Sequence, residues 1–112
     1  MTNFQPLQEE IAQWSDKTFG SDPDREIAIA RHLIEEAQEL FDAVSIERSN
    51  TPQPGAIYNV KGQIADCFIL LLDLAAKYNI SMHNVYFIIE DKMETNRNRQ
   101  WKKDENGLYH HI

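Results

Sequence analysis

The sequence predicts an all-α chain folded as a four-helix bundle. Four segments repeat apolar residues at spacings of three and four. No two apolar runs alternate at period two across a turn, so no credible strand pair is expected. Turn-forming residues collect between the segments. The length of 112 residues suits a single domain, residues 1–112, with one modest core.

The first helix follows from Pro6 at an early helical position after Phe4, with Leu7, Ile11 and Trp14 on one face and Gln8, Glu9 and Gln13 on the polar one. It should break near Gly20. In the second, Asp22-Pro23-Asp24 reads as a cap with proline at the first helical position. Ile27, Ala30, Ile34, Ala37, Phe41 and Val44 then form an apolar stripe to about Glu47. Residues 49–55 (SNTPQPG) are turn formers throughout, which makes the second and third helices a hairpin. The third helix, about Asn59 to Tyr78, is apolar nearly all round between Cys67 and Ala76 and should be the most buried element, with Asn79 as a left-handed stop. Ser81 can cap the fourth, whose stripe of Val85, Ile88, Ile89 and Met93 runs to about Arg99. The tail from Lys102 is polar with a turn at Gly107.

Eleven Lys+Arg stand against 18 Asp+Glu, a net charge of −7. That balance argues against a general duplex-DNA or anionic-membrane binder, both of which need a cationic surface. The charge is uneven: residues 1–91 carry −9, whereas residues 92–112 carry +2. The single cysteine, Cys67, cannot form an internal disulfide, and neither a signal peptide nor a membrane span is legible, so a cytoplasmic protein is expected.

The densest chemical motif is Glu35-Glu36-x-x-Glu39. On a helix Glu35 and Glu39 lie about 40° apart and Glu36 and Glu39 about 60° apart, so the three carboxylates share one face. That face points away from the Ile27/Ile34/Phe41 stripe, and alone it reads as a solvated acidic surface. On the third helix Asp66 and Asp73 share a stripe with Gln63 and Lys77 in the apolar segment. A carboxylate there needs a proton, a base or a cation, and the plain alternative is a salt bridge to Lys61 or Lys77. All-oxygen ligands would favour Mg²⁺ or Mn²⁺ over zinc. His32 could orient a ligand or simply pair one turn on. Lys92, Asn96 and Arg99 at i, i+4, i+7, with Arg97 beside them, offer the donors that hold phosphate oxygens; a cationic C-terminal turn facing the helix dipole is the plain alternative. Trp14, or Trp101, could stack on a base. Neither a Walker A loop nor a G-x-G-x-x-G turn is present.

HLIEEAQEL, GQIADCFILLLDLA, KMETNRNRQW and GLYHH together resemble the MazG-like branch of the all-α nucleoside triphosphate pyrophosphohydrolases, over Trp14 to His111. The resemblance implies a homodimer or homotetramer, Mg²⁺ dependence, and cleavage of a nucleoside triphosphate between its α and β phosphates. Carried over, Glu36, Glu39 and Asp66 would be metal ligands, with Glu35 a further ligand or the group that positions and deprotonates water. Lys92, Asn96, Arg97 and Arg99 would hold phosphates, and Trp14 would contact the base. Gln63 stands where the family motif has Glu; its amide oxygen can still coordinate a metal but brings no charge. If the acidic face forms a site with Asp66, a helix or a second subunit must cover it.

The expected activity is Mg²⁺-dependent hydrolysis of a deoxynucleoside or non-canonical nucleoside triphosphate. A nucleotide-binding module weakened by Gln63 and a structural helical dimer that meets a basic protein are the alternatives.

Overall fold

The computed structural model describes residues 3–51 and 53–112, so Pro52 of the expected loop lies outside the described residues. Helix α1 spans Phe4–Phe19, α2 Arg25–Glu47, α3 Ala56–Lys77 and α4 Met82–Arg97. Two short strands follow, β1 (Trp101–Lys103) and β2 (Tyr109–His111), paired antiparallel. The all-α class holds. Each strand is three residues long, too short for a period-two pattern to register in sequence. The chain forms two compact units, Met1–Met82 and His83–Ile112.

In the first unit the helix ends are set by local chemistry. The Asn3 side chain accepts the Gln5 amide at 3.0 Å, and α1 stops at Gly20, whose φ of 85° an L side chain rarely adopts. Pro23 sits in the turn before α2 rather than at its first position, and Asp24, at the N-cap, makes no side-chain cap bond. Helix α3 begins three residues earlier than expected, because left-handed Gly55 offers its carbonyl to the Tyr58 and Asn59 amides. It ends as expected at Asn79, φ 57°. There the Asn79 amide reaches Ala76 O and the Ile80 amide reaches Ala75 O, the paired bonds of a Schellman motif.

Helices α2 and α3 pack most extensively, and α1 lies against α3. The inward row of α2 is Ile29, Leu33, Glu36, Leu40 and Ala43, with Ile29 and Ala43 buried and the others partly so. This overturns the expected stripe: Ile27, Ile34 and Phe41 are 56%, 70% and 66% exposed. Helix α2 is apolar on two faces, and α3 covers the one that carries Glu36. The inward row of α3 is Ala56, Val60, Gln63, Cys67 and Leu70, while Phe68 and Leu71 remain about half exposed, so α3 is not buried all round.

The assignment for α1 also changes. Gln8, expected on its polar side, is 3% exposed and Ser15 is 1% exposed, whereas Leu7 and Trp14 are 43% and 54% exposed. The Gln8 amide donates to Leu72 O at 3.3 Å and Ile80 O at 2.9 Å, and Gln5 Oε1 accepts the Met82 amide at 2.9 Å. The inward face of α1 is therefore partly polar because it satisfies carbonyls and amides around the end of α3.

In the second unit none of the described residues of α4 is buried, including the expected Val85/Ile88/Ile89/Met93 stripe. The hairpin closes on Asp104, whose Oδ1 accepts the Asn106 and Leu108 amides, both at 2.9 Å, and whose Oδ2 lies 2.8 Å from His110 Nε2. Gly107, φ 85°, completes the turn. No helix of the described residues is long and apolar enough to cross a membrane.

Candidate active site

A cleft of about 410 Å³ opens in the first unit among α1, the start of α2 and the middle of α3. Ile11, Ile29 and Leu70 give it an apolar lining, and its polar groups are Arg25, His32, Glu36, Asp66 and Asp73. Trp14 and Phe19 also line it, with ring centroids 5.2 Å apart and planes at 88°.

The two ends of the cleft differ in charge state. At one, buried Asp73 accepts Ser15 Oγ–H at 2.6 Å and the Lys77 ammonium at 2.7 Å, and Arg25 stands 3.9 Å away. Lys77 also meets Asp16 at 2.9 Å. Burial alone would lower the Lys77 pKa, but hydrogen bonds to Asp73 and Asp16 outweigh it and hold the ammonium above its usual value. Asp73 is thus a structural ion-pair centre, the plain alternative considered for it.

At the other end no lysine or arginine pairs with the carboxylates among the described residues. Lys77 is engaged as above and Lys61 lies over the Tyr58 ring, 5.5 Å from its centroid, so neither is paired with Asp66. His32 Nε2 stands 3.2 Å from Glu36 Oε1, a pairing one turn on. The other oxygen, Glu36 Oε2, is buried with no donor, and so is the amide oxygen of Gln63. The Glu39 carboxyl is held above the usual carboxylate range by hydrogen bonding with Glu36, then by the Glu36 charge, burial, and the charges of Asp66 and Glu35. A hydrogen bond between two carboxyl groups exists only while one of them carries a proton. Burial and then the charges of Glu36 and Asp66 also push the Cys67 thiol up. Glu39 and Cys67 therefore both register carboxylates from α2 and α3 crowded around one place.

Such a place suits a hard divalent cation: two buried oxygens without donors on the packed helices α2 and α3, and carboxylate charges that raise the Glu39 carboxyl. Among the described residues no three His, Cys, Asp or Glu side chains are already gathered as a metal shell. Gln63 lies outside that set of residue types, and its orphaned oxygen is the observation that fits it to the role.

A family model described as dATP/dGTP pyrophosphohydrolase matches residues 7–111. The chain belongs to the dATP/dGTP pyrophosphohydrolase family. Membership makes it a nucleotide pyrophosphohydrolase of MazG-like all-α fold, as the motifs implied. No curated protein and no solved structure matches the chain.

In this pyrophosphohydrolase the cleft brings together Trp14, Glu36 and Asp66, and the charges of Glu35 and Asp66 reach Glu39. Lys92, Asn96, Arg97 and Arg99 belong to the second unit. There α4 ends at Arg97, so Arg99 does not continue a helical ridge with Lys92 and Asn96. The helix stops because the Trp101 indole takes Asn96 O at 3.0 Å and the Asn98 side chain turns back to Glu94 O at 3.0 Å. Trp101 is thereby tied to the end of α4 through its indole N–H. Phe19 and Arg25 are cleft residues that helical periodicity missed. Phe19 ends α1 and Arg25 begins α2, outside any repeating pattern, and only their flanking of the short 20–24 connection hints at a shared position.

Proposed function

We propose that this pyrophosphohydrolase hydrolyses a deoxypurine nucleoside triphosphate, dATP or dGTP, with Mg²⁺ or Mn²⁺. The products are the deoxynucleoside monophosphate and pyrophosphate. The observation that carries the reading is the pair of buried oxygens without donors, Glu36 Oε2 and Gln63 Oε1, on the packed helices α2 and α3, where the charges of Glu36, Asp66 and Glu35 raise the Glu39 carboxyl. Glu36, Glu39, Asp66 and Gln63 would hold the metal, which when bound supplies charge neutralisation of the phosphates and acidifies water.

His32 fixes one oxygen of Glu36 and leaves the other directed to ligation. Glu35, exposed on the same helix, is assigned to orient the attacking water and accept its proton. The water oxygen bonds to the α phosphorus, the bond from that phosphorus to the bridging oxygen breaks, and pyrophosphate leaves. Trp14, half exposed at the cleft, offers an aromatic face to the base. Lys92, Asn96, Arg97 and Arg99 are proposed to hold phosphate oxygens on the strength of the motif alone. The exposed row of Ile27, Ile34 and Phe41 supports a homo-oligomer that covers it.

Pyrophosphate release from dATP and dGTP, dependent on Mg²⁺ and abolished by chelation, tests the assignment. Glu36→Gln should lower kcat by about a hundredfold or more. Full activity in that variant would overturn the assignment.

A further inference from the structure

We infer that Arg25 reads the edge of the substrate's base and makes the cleft prefer guanine to adenine, an inference that rests on the function proposed above. Arg25 lines the cleft with its guanidinium carbon 5.1 Å from the Phe19 ring centroid, and Phe19 stands perpendicular to Trp14. One terminal nitrogen donates to Ser15 Oγ at 3.2 Å and lies 3.9 Å from Asp73 Oδ2. The side chain is only 16% exposed, and its Nε–H is buried with no acceptor.

An arginine cannot release this proton at any ordinary pH, and it has no acceptor of its own. The group therefore stays a donor without a partner until something in the cleft supplies one. The nearby acceptor in the fold, Asp73, is already engaged by Ser15 and Lys77. A base stacked on Trp14 is rewarded at this wall for acceptors and penalised for donors. Guanine presents two acceptors, O6 and N7, along one edge, the pairing a guanidinium matches best. Adenine presents N7 beside an amino group, which would face the guanidinium with no acceptor to meet it.

The test is kcat/KM for pyrophosphate release from the full-length wild-type protein with Mg²⁺, across dGTP, dITP, 7-deaza-dGTP, 2-aminopurine deoxynucleoside triphosphate and dATP. dGTP and dITP, which share O6 and N7, should agree within about threefold, and the other three should fall about tenfold below them. Arg25→Lys, which keeps the charge beside Asp73 but loses Nε–H, should bring the dGTP to dATP ratio to about one, with folding checked by thermal melting.

Equal rates for dGTP, 7-deaza-dGTP and the 2-aminopurine nucleotide, a preference for dATP, or an unchanged ratio in Arg25→Lys would each overturn the inference. The same series read as Kd, by quenching of tryptophan fluorescence, separates it from the function itself. The guanine order in binding without any turnover would overturn the proposed hydrolysis and support the role of Arg25. No base order in either readout would overturn that role.

Discussion

Replacing Asp73 by alanine should cost this protein a large part of its stability. Asp73 is 4% exposed and joins three helices: Ser15 from α1, Arg25 from α2 and Lys77 from its own α3. Removing one partner of a buried ion pair costs about 3–5 kcal/mol, because the remaining charge is left desolvated. Two features reduce that figure here. Lys77 keeps its contact with Asp16 at 2.9 Å, and Arg25 stands at 3.9 Å rather than in close contact. A loss of roughly 2–4 kcal/mol is therefore expected, against a total of about 5–15 kcal/mol for a domain of this size. At about 4–8 °C per kcal/mol the melting temperature should fall by at least about 8 °C.

Urea unfolding followed by far-ultraviolet circular dichroism, at one protein concentration and without nucleotide, measures the loss. Asp73→Asn keeps an acceptor for Ser15 and should lose less. Adding Lys77→Met to Asp73→Ala should recover part of the deficit, since a buried cation is removed with its partner. The sign with pH follows from Lys77, whose ammonium is stabilised in the fold. The contribution is present below its ordinary value of 10.5 and is lost as pH rises through the elevated one. The wild-type protein should therefore lose more stability above that pH than Asp73→Ala does. A loss below about 1 kcal/mol in Asp73→Ala would refute the reasoning, since even one broken buried hydrogen bond costs that much.

Three further outcomes are expected. Gln8→Ala should destabilise the first unit by about 1–3 kcal/mol in urea, because Leu72 O and Ile80 O lose their donor; no change would mean that water replaces it fully. Asp104 is held below the usual carboxylate range, first by the Leu108 amide and then by His110, so hairpin order should persist above pH 3.8 and fade as pH falls through the lowered value. Cross-strand contacts between Trp101 and His111 by NMR report this, and their survival in Asp104→Ala would contradict it. Ile34→Glu combined with Phe41→Glu should shift the species seen by light scattering to the 13.1 kDa monomer, and an unchanged mass would show that this face is not the interface.

The sequence conveyed the helices better than their orientation. Gly20, Asn79 and the 49–55 turn formers marked three boundaries, because positive φ and turn chemistry are local properties. Facing was harder. Helix α2 has two apolar rows, and periodicity chose the longer side chains Ile27, Ile34 and Phe41 over the row that packs on α3. In α1 the inward positions are Gln8 and Ser15, whose burial depends on carbonyls and a carboxylate about 60 residues away, which no local pattern can report. The crowding of Glu36 and Asp66 around Glu39 was legible because these residues belong to short motifs. Arg25 was not, since its environment is assembled from Ser15, Phe19 and Asp73 on two other helices.

Asp66 and Asp73 are the same residue type on the same helix, two turns or about 10.5 Å apart. They border a single cleft, yet the fold gives them opposite duties. Asp73 is satisfied before any ligand arrives, so that end is a fixed wall whose charge is already neutralised. Asp66 shares its end with a Glu36 oxygen that has no donor and with Glu39, whose carboxyl the neighbouring charges raise, so there the protein favours an added positive charge. Nucleotide binding should accordingly stiffen one end of the cleft and leave the other as it was.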